Sequence, residues 1–355
     1  MNSNDLVGGL EKIAKDQSEY YSLGYKPNES AEGSCHTLRV KVDRGGTEIR
    51  SRSGYCNVKP RDLLAGNPIE KSMESHATSE MASDTAARAE VPFFYTSANT
   101  ARVNLSMEIP SNAIKFSKEH GKQHAAVNIL GIAYRPDNTI AARFSDTANL
   151  DFEEKKDLQE FQKHPFHYEN QFELASGQYN LRVVFNSGSD SFGKVIVPLN
   201  IDGYDGKKLS MSALALSNEV HPEGEMSTGL DAELLEDRKP LIVRGMRIVP
   251  AGTDHFKKGD NVVVYSEVYE PALLNPTPPK VGLEFVIVDR KTNEKKLDAG
   301  ITDTQTSIQA GSMVMDIGLK LPIDKLGPGS YRVQLKALDS MGGATDFRSA
   351  DFELE

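Results

Sequence analysis

Hydrophobic and polar residues alternate along most of this chain, as they do in β-strands that bury one face. The alternation is clear in "ARVNLSMEIP" (101–110), in "AAVNILGIAY" (125–134) and in "IAARF" (140–144), with the turn sequence "RPDNT" between the last two. Two more strands surround a polar turn in "LASGQYNLRVVFNSGSDSFGKVIVPLNI" (174–201). The chain from Val91 onward is therefore predicted to be all-β.

A second copy of this pattern occurs near the end of the chain, in "LGPGSYRVQLKALDSMGGATDFRSADFEL" (326–354). Both copies contain Leu-x-x-Gly-x-Tyr followed by an alternating strand, a polar loop and a closing strand, and the two tyrosines are 331 − 179 = 152 residues apart. This repeat predicts two tandem immunoglobulin-like β-sandwiches, at 91–218 and 240–355. Tyr179 and Tyr331 are predicted to be structural tyrosine corners rather than binding residues.

The segment between the two repeats, "HPEGEMSTGLDAELLEDRK" (221–239), is acidic and has no strand pattern. Residues 219–239 are accordingly predicted to be a linker that joins the sandwiches.

Residues 61–90 are predicted to be a helix followed by a Ser/Ala-rich linker. Asn67 as N-cap and Pro68 at the first helical position are typical of a helix start. The apolar stripe of this helix is thin and consists of Ile69, Met73, Ala77 and Met81. The next segment, "VPFFYT" (91–96), could stack its aromatic rings on a sugar, but an inward or inter-domain packing strand is favoured.

The first 60 residues have a different organisation, with a helix near Leu6–Ala14, a strand in "YYSLGYKP" (20–27) and a β-hairpin. If Gly45 and Gly46 form the hairpin turn, paired residues have numbers that sum to 91, and Cys35 then faces Cys56. A disulfide is favoured, with two free thiols as the alternative. A zinc site is excluded because it needs further ligands and the chain has two cysteines.

One face of this hairpin is predicted to pack inward. It consists of His36, Leu38, Val40, Val42, Ile49 and Tyr55.

Composition excludes several classes of function. The chain has 51 acidic and 41 basic residues, which argues against nucleic acid as a partner. No apolar run approaches the length of a membrane span. The first residues, "MNSNDLVGGLEK", do not resemble a signal peptide. A disulfide indicates an extracytoplasmic protein, so this location is expected only if a signal is encoded upstream.

The stretch "LEKIAKDQSEYYSLGYKPNE…LRVKVDRGGTEIRSRSGYC" resembles the end of the von Willebrand factor A (VWFA)-related domain of many acidobacterial proteins. The resemblance is carried by Tyr21, Leu23, Gly24, Tyr25 and Pro27, by the strand Leu38–Val42, and by Arg52-Ser53-Gly54-Tyr55. It covers about residues 1–56 and implies an α+β remnant that ends a larger domain.

The family's metal-ion-dependent adhesion site begins with Asp-x-Ser-x-Ser, which does not occur in these 355 residues. Cation-dependent adhesion is therefore not carried over to any residue here. The chain is expected to be either a reading frame that starts late or a remnant that lost the ion site.

Candidate chemistry is sparse. His164 and His167 could bind a metal from one helix face, but Pro165 between them favours two surface histidines in a loop. Asp202 and Asp205 in "NIDGYDGKK" could bind calcium, but a turn is favoured because further carboxylates are lacking. Neither Gly-x-Ser-x-Gly nor a phosphate-binding glycine loop is present.

No catalytic, cofactor or metal residue is therefore predicted, and the chain is not expected to be an enzyme. The expected function is that of an exported binding or structural protein whose sandwiches contact another protein or a cell surface. The alternative is an accessory carbohydrate-binding protein of a secreted glycan-acting system, and a hydrolase with a site between the domains is a third possibility.

Overall fold

A computed structural model describes residues 35–37, 40–44, 54–56, 68–79, 85–188, 192–223, 238–304, 308 and 311–355. The chain divides into two compact units, residues 1–60 and residues 61–355.

In the first unit, strands β1 (Cys35–Thr37) and β2 (Gly54–Cys56) pair antiparallel. Their register places Cys35 opposite Cys56, as the turn position predicted. The predicted inward face is wrong for Val40 and Val42, which are 40% and 41% exposed and lie outside any strand. A two-stranded hairpin needs a third layer to bury an apolar face, and none covers these valines among the described residues. The predicted helix near Leu6–Ala14 and the strand in residues 20–27 lie outside the described residues.

The first sandwich, hereafter sandwich 1, has one sheet built around β5 (Thr100–Ile109). One edge of β5 pairs with β3 (Arg88–Glu90) and β4 (Phe93–Ser97), and the other pairs with β9 (Phe166–Ala175). Because β3 belongs to this sheet, the predicted linker ends before Arg88 and the sandwich begins earlier than residue 91.

The other sheet of sandwich 1 is built on two long central strands, β7 (Lys122–Tyr134) and β10 (Gly177–Asn186). The strands β8 (Ile140–Phe152) and β11 (Phe192–Ile201) flank them, and the short β6 (Ser117–Glu119) pairs with the start of β7. Between β8 and β9 lies a short helix, α2 (Lys155–Phe161), and a 3-10 turn, Ser111–Ala113, follows β5. The alternating apolar residues of both sheets meet in one core.

The helix α1 (Pro68–Thr78) begins at the predicted proline. Met73 and Ala77 from its predicted stripe are fully buried on the outer face of the β7–β10–β11 sheet. Arg182 of that sheet donates to the Ala77 carbonyl at 3.1 Å, and Arg143 pairs with Glu70 and Glu74. The helix is therefore part of the packed structure of sandwich 1.

The second sandwich, hereafter sandwich 2, repeats this arrangement. Its first sheet is built around β18 (Val263–Tyr269), with β12 (Ser210–Met211) and β13 (Ala215–Ser217) on one edge and β21 (Val314–Lys320) on the other. The second sheet has the order β20–β19–β22–β23–β17. Its strands are β19 (Val281–Asp289), β20 (Lys295–Asp303), β22 (Gly329–Asp339), β23 (Arg348–Leu354) and β17 (His255–Phe256), and the 3-10 turns are Pro271–Leu274 and Ile323–Lys325.

The two sandwiches share one strand order. In each, a split first strand, the second strand and the fifth form one sheet, and the fourth, third, sixth and seventh form the other. The chain is mainly β, and its strands form β-sandwiches, as predicted.

The predicted boundary between the sandwiches is wrong. Residues 210–217 are the first strand of sandwich 2, so the sandwiches are joined at 202–209 and not by residues 219–239. The segment from β14 (Glu219–Pro222) through β15 (Leu241–Val243) to β16 (Met246–Val249) is an insertion within sandwich 2, in which β16 pairs with both of its neighbours. The strands β12 and β13 have two and three residues, which is too few to show an alternating pattern in the sequence. Their pairing with β18 is also non-local.

Candidate functional site

The backbone register brings the two cysteines of the hairpin together, but their side chains lie outside what the structure describes. The disulfide between Cys35 and Cys56 stays a prediction.

The two predicted corner tyrosines occupy equivalent positions in the two sandwiches. The Tyr179 hydroxyl donates to the Ala175 carbonyl at 2.9 Å, and the Tyr331 hydroxyl donates to the Gly327 carbonyl at 2.8 Å. Both rings are buried at the start of a sixth strand. This is the geometry expected of a tyrosine corner, and neither residue is available to a ligand.

The two candidate metal-binding histidines are not brought together. His164 is exposed after α2, whereas His167 lies on β9 between two glutamates. The Nδ1 atom of His167 is 2.8 Å from Glu108 Oε1, and Nε2 is 3.4 Å from Glu169 Oε1. Burial by itself lowers the pKa of His167, but the hydrogen bonds and charges of Glu108 and Glu169 outweigh it and raise the pKa to about 10. His167 is therefore protonated and pairs with the carboxylates of Glu108 and Glu169.

Of the two candidate calcium ligands, Asp205 forms a turn and Asp202 links the two sandwiches. Asp205 accepts a hydrogen bond from the Lys207 amide at 2.9 Å, as in a simple Asx turn. The Asp202 carboxylate pairs with Arg348 of sandwich 2. Arg348 also donates to the Met211 carbonyl at 3.0 Å. Asp202 thus links the two sandwiches at the junction 202–209, and its carboxylate is paired with Arg348.

The outward faces of the two central strands β5 and β18 are buried against each other's sandwich. Every residue from Ala101 to Met107 is buried, as is every residue from Val264 to Tyr269, so these strands have no solvent face. The guanidinium of Arg102 from sandwich 1 lies 3.7 Å from Glu267 of sandwich 2. A pair this well covered indicates a permanent contact between the sandwiches.

Three tyrosines extend this contact. The Tyr269 hydroxyl donates to Glu267 and accepts a hydrogen bond from the Tyr95 amide at 2.8 Å. The Tyr265 hydroxyl donates to Asp316 at 3.0 Å. Burial raises the pKa of Glu267, while its hydrogen bond from Tyr269 and the charge of Arg102 lower it. Of these hydrogen bonds, the one from the Tyr95 amide to the Tyr269 hydroxyl crosses from sandwich 1 to sandwich 2.

The segment 91–96 divides its aromatic rings between the two sandwiches. Phe93 and Tyr95 point into the core of sandwich 1, whereas Phe94 packs on Tyr265, Leu241 and other residues of sandwich 2. None of the three rings is more than 7% exposed. The favoured interpretation as a packing strand is confirmed, and a sugar platform here is ruled out.

A close approach of two backbones completes the interface. A Cβ atom on Gly252 would lie 2.7 Å from the Met107 carbonyl carbon and 2.8 Å from the Glu108 amide nitrogen. Only glycine leaves room for β5 to pass this segment of sandwich 2.

Between the sandwiches a cleft of about 360 Å³ remains open. Sandwich 1 contributes Phe93 and Leu199 to its apolar wall, and sandwich 2 contributes Leu214 and Leu216. All four are at most 9% exposed. The wall is thus part of both cores and is held rigidly.

Charged groups at the rim of the cleft come from three separate places in the chain. Glu90 is on β3, Asp254 precedes β17, and Asp351 and Arg332 face each other on β23 and β22. Arg332 holds Asp351 through two bonds of 2.6 and 3.0 Å, and Arg290 is 3.1 Å from the same carboxylate. The charge of Asp351 is therefore balanced by two arginines of sandwich 2, Arg332 and Arg290.

Asp254 accepts from a histidine instead. The Nδ1 atom of His255 is 2.7 Å from Asp254, and its Nε2 is 3.4 Å from a guanidinium nitrogen of Arg88. His255 thus lies between the Asp254 carboxylate and the Arg88 guanidinium.

Glu90 has no such partner: among the described residues no hydrogen bond or ion pair reaches its carboxylate, which keeps access to solvent. The surrounding protein and the charges of Asp254 and Asp351 raise the pKa of Glu90 to about 7. The cleft therefore contains one carboxylate, that of Glu90, that lacks a cation among the described residues.

Within the described ranges, no three His, Cys, Asp or Glu side chains are grouped to hold a metal ion. No helix there is long and apolar enough to cross a membrane.

Comparison with known proteins gives no family. No family model matches the chain, and no curated protein matches it. Among solved structures, the fibronectin(III)-like modules of Clostridium thermocellum CbhA are similar at 11% identity, over 75% of this chain and 94% of that chain, with a TM-score of 0.19.

The BSP domain of a biofilm associated protein is similar at 9% identity over 81% of this chain, with a TM-score of 0.20. This chain spans about half of that one, 54% of its length. With scores this low, the fold assignment is based on the strand order and the two cores of this chain.

The interface and the cleft were not predicted from sequence. The one signal that could have indicated the interface is the alternation Tyr265, Glu267, Tyr269 on the face of β18 that points away from its own core. A solvent-facing strand would favour smaller polar residues at these positions.

Proposed function

We propose that this chain is a non-enzymatic binding or structural protein, which presents two rigidly joined β-sandwiches to another protein or to a cell-surface component. The observation that carries the proposal is the mutual burial of β5 and β18. It converts two modules into one body with a shared cleft, whereas modules on a flexible linker would present separate surfaces.

The proposal extends to location and to the first unit. An extracytoplasmic location is proposed because Cys35 and Cys56 face each other in the register. Alkylation of the denatured, unreduced protein should then label no thiol, and two labelled cysteines would contradict it. Residues 1–60 are proposed to be the end of a VWFA-related domain. Translation upstream of the Met1 codon tests this, with an Asp-x-Ser-x-Ser strand as the expected result.

The binding function is tested with the full chain and cell-envelope fractions of the organism that makes it. We expect saturable binding that disappears when proteins of the fraction are digested with protease. Binding that survives digestion and is competed by glycans would favour the alternative, an accessory carbohydrate-binding protein. Absence of saturable binding to every fraction would refute the proposal.

A further inference from the structure

We propose that the cleft between the sandwiches binds the cationic side chains, arginine or lysine, of a partner protein. This inference rests on the proposed function and names the chemistry of the partner. It follows from the charge of the rim, the nature of the wall and the rigidity of the frame that holds them.

The first argument is charge complementarity. Three carboxylates, Glu90, Asp254 and Asp351, line the cleft against a single guanidinium, that of Arg332, which is already bound to Asp351. Asp254 has one described side-chain partner, the Nδ1 atom of His255 at 2.7 Å, and Glu90 has none among the described residues. The cleft therefore offers a cation the unpaired carboxylate of Glu90 beside that of Asp254.

The second argument is the chemistry of the wall. Below the rim, Phe93, Leu199, Leu214 and Leu216 present apolar surface to the cavity. Arginine and lysine combine a methylene stem with a charged head, so the stem can cover this wall while the head reaches the carboxylates. A bare metal ion would gain nothing from the apolar wall, and a nonpolar ligand would gain nothing from the rim.

The third argument is pre-organisation. Glu90 is held by the pairing of β3 with β5, where it lies opposite Ser106. Asp254 is held by a bond of 2.8 Å from the Glu353 amide to the Asp254 carbonyl. The backbone is thus held at Glu90 by a paired strand of sandwich 1 and at Asp254 by a hydrogen bond within sandwich 2, so little backbone freedom is lost when a cation binds.

The groups around Glu90 also define a pH dependence. Asp254 and Asp351 face it as anions, Arg332 is bound to Asp351, and Arg88 is directed to His255. As the pH rises from 6 to 8, Glu90 loses its proton because its pKa is about 7. Binding of a cation should therefore strengthen over this range.

The experiment uses the full chain and a fluorescein-labelled peptide of two arginines separated by glycines, followed by fluorescence anisotropy at 0.15 M salt. The same peptide with citrulline in place of arginine keeps the shape and removes the charge. The test variant is Glu90→Gln. The matched control is Glu154→Gln, which removes an exposed carboxylate that does not line the cleft.

We expect saturable binding of the arginine peptide and none of the citrulline peptide. Glu90→Gln should weaken binding about three- to tenfold and abolish its increase between pH 6 and 8. Glu154→Gln should leave both unchanged. The melting temperatures of the variants show whether each remains folded.

Four results would overturn the inference. Equal effects of Glu90→Gln and Glu154→Gln would mean general attraction to a chain of net charge −10. Equal binding of the citrulline peptide would mean that charge is irrelevant. Binding of spermidine without binding of the arginine peptide would assign the cleft to a free amine.

The envelope fractions separate this inference from the proposed function. If Glu90→Gln keeps full binding to these fractions, this inference fails and the proposed function stands. Absence of envelope binding by the wild type refutes the proposed function itself.

Discussion

Truncation of Phe94 to alanine tests whether the two sandwiches form a single folded body. Phe94 is on a strand of sandwich 1 but is fully buried against sandwich 2, where its ring packs edge to face on Tyr265 with the centroids 5.4 Å apart. Arg102 lies over the same ring at 5.7 Å. Transfer of the ring to water costs about 1.5–3 kcal/mol, and the cavity left behind raises the total to about 3–5 kcal/mol.

The assay is urea unfolding combined with calorimetry of the full chain. The wild type should unfold residues 61–355 in one transition, because the cores of both sandwiches depend on the interface around Phe94. Phe94→Ala should lower the free energy of unfolding by about 3–5 kcal/mol and the midpoint temperature by about 6–15 °C. Phe347→Ala is the control, since Phe347 is 41% exposed and its loss should cost less than about 1 kcal/mol.

Two separate transitions in the wild type would refute the reasoning, as would a loss of less than about 1 kcal/mol in Phe94→Ala. In either case the contact between the sandwiches would not be strong enough to hold the cleft. A second result of interest is a variant that splits one transition into two, which would show that Phe94 couples modules that can fold separately.

Three further changes test other parts of the structure. Gly252→Ala should destabilise by about 1–3 kcal/mol because the new methyl group meets backbone atoms of β5, whereas Gly259→Ala, which meets nothing within 4 Å, should be near neutral in the same urea assay. Tyr179→Phe and Tyr331→Phe should each cost about 0.5–1.5 kcal/mol for the lost corner hydrogen bond, and a much larger loss in only one of them would show that the repeats use it differently. His167→Gln tests linkage to pH: since the folded pKa of about 10 exceeds the ordinary value of 6.5, the stabilisation is present below pH 6.5 and lost as the pH rises through 10. The variant should therefore show a flatter stability curve from pH 7 to 10 than the wild type, and parallel curves would contradict the assignment.

Local sequence determined much of each sandwich. The alternation of Val103, Leu105 and Met107 set the inward face of β5, because neighbouring side chains of a strand point to opposite sides whatever surrounds them. The Leu-x-x-Gly-x-Tyr repeat located both corner tyrosines, and Asn67-Pro68 located the start of α1. These features depend on residues that are close in sequence, so one sequence was enough to predict them.

Tertiary structure alone decided how the two sandwiches meet. The other face of β5, with Arg102, Asn104 and Ser106, is polar and reads as a solvent face, yet it is buried. Its partners are residues 150 or more positions away, as with Arg102 and Glu267, and no local pattern encodes such a pairing. For the same reason the first strand of sandwich 2 was assigned to the wrong side of the boundary.

The cleft shows this division most clearly. No motif or spacing in the sequence distinguishes Glu90, Asp254 and Asp351 from the other acidic residues, or Leu199 and Leu216 from the other leucines. Only the packing of one sandwich on the other brings them to one cavity, where burial and then the charges of Asp254 and Asp351 raise the pKa of Glu90. Strand formation is decided by nearest neighbours along the chain, whereas the electrostatic potential of a site depends on distances in space that only the folded interface fixes.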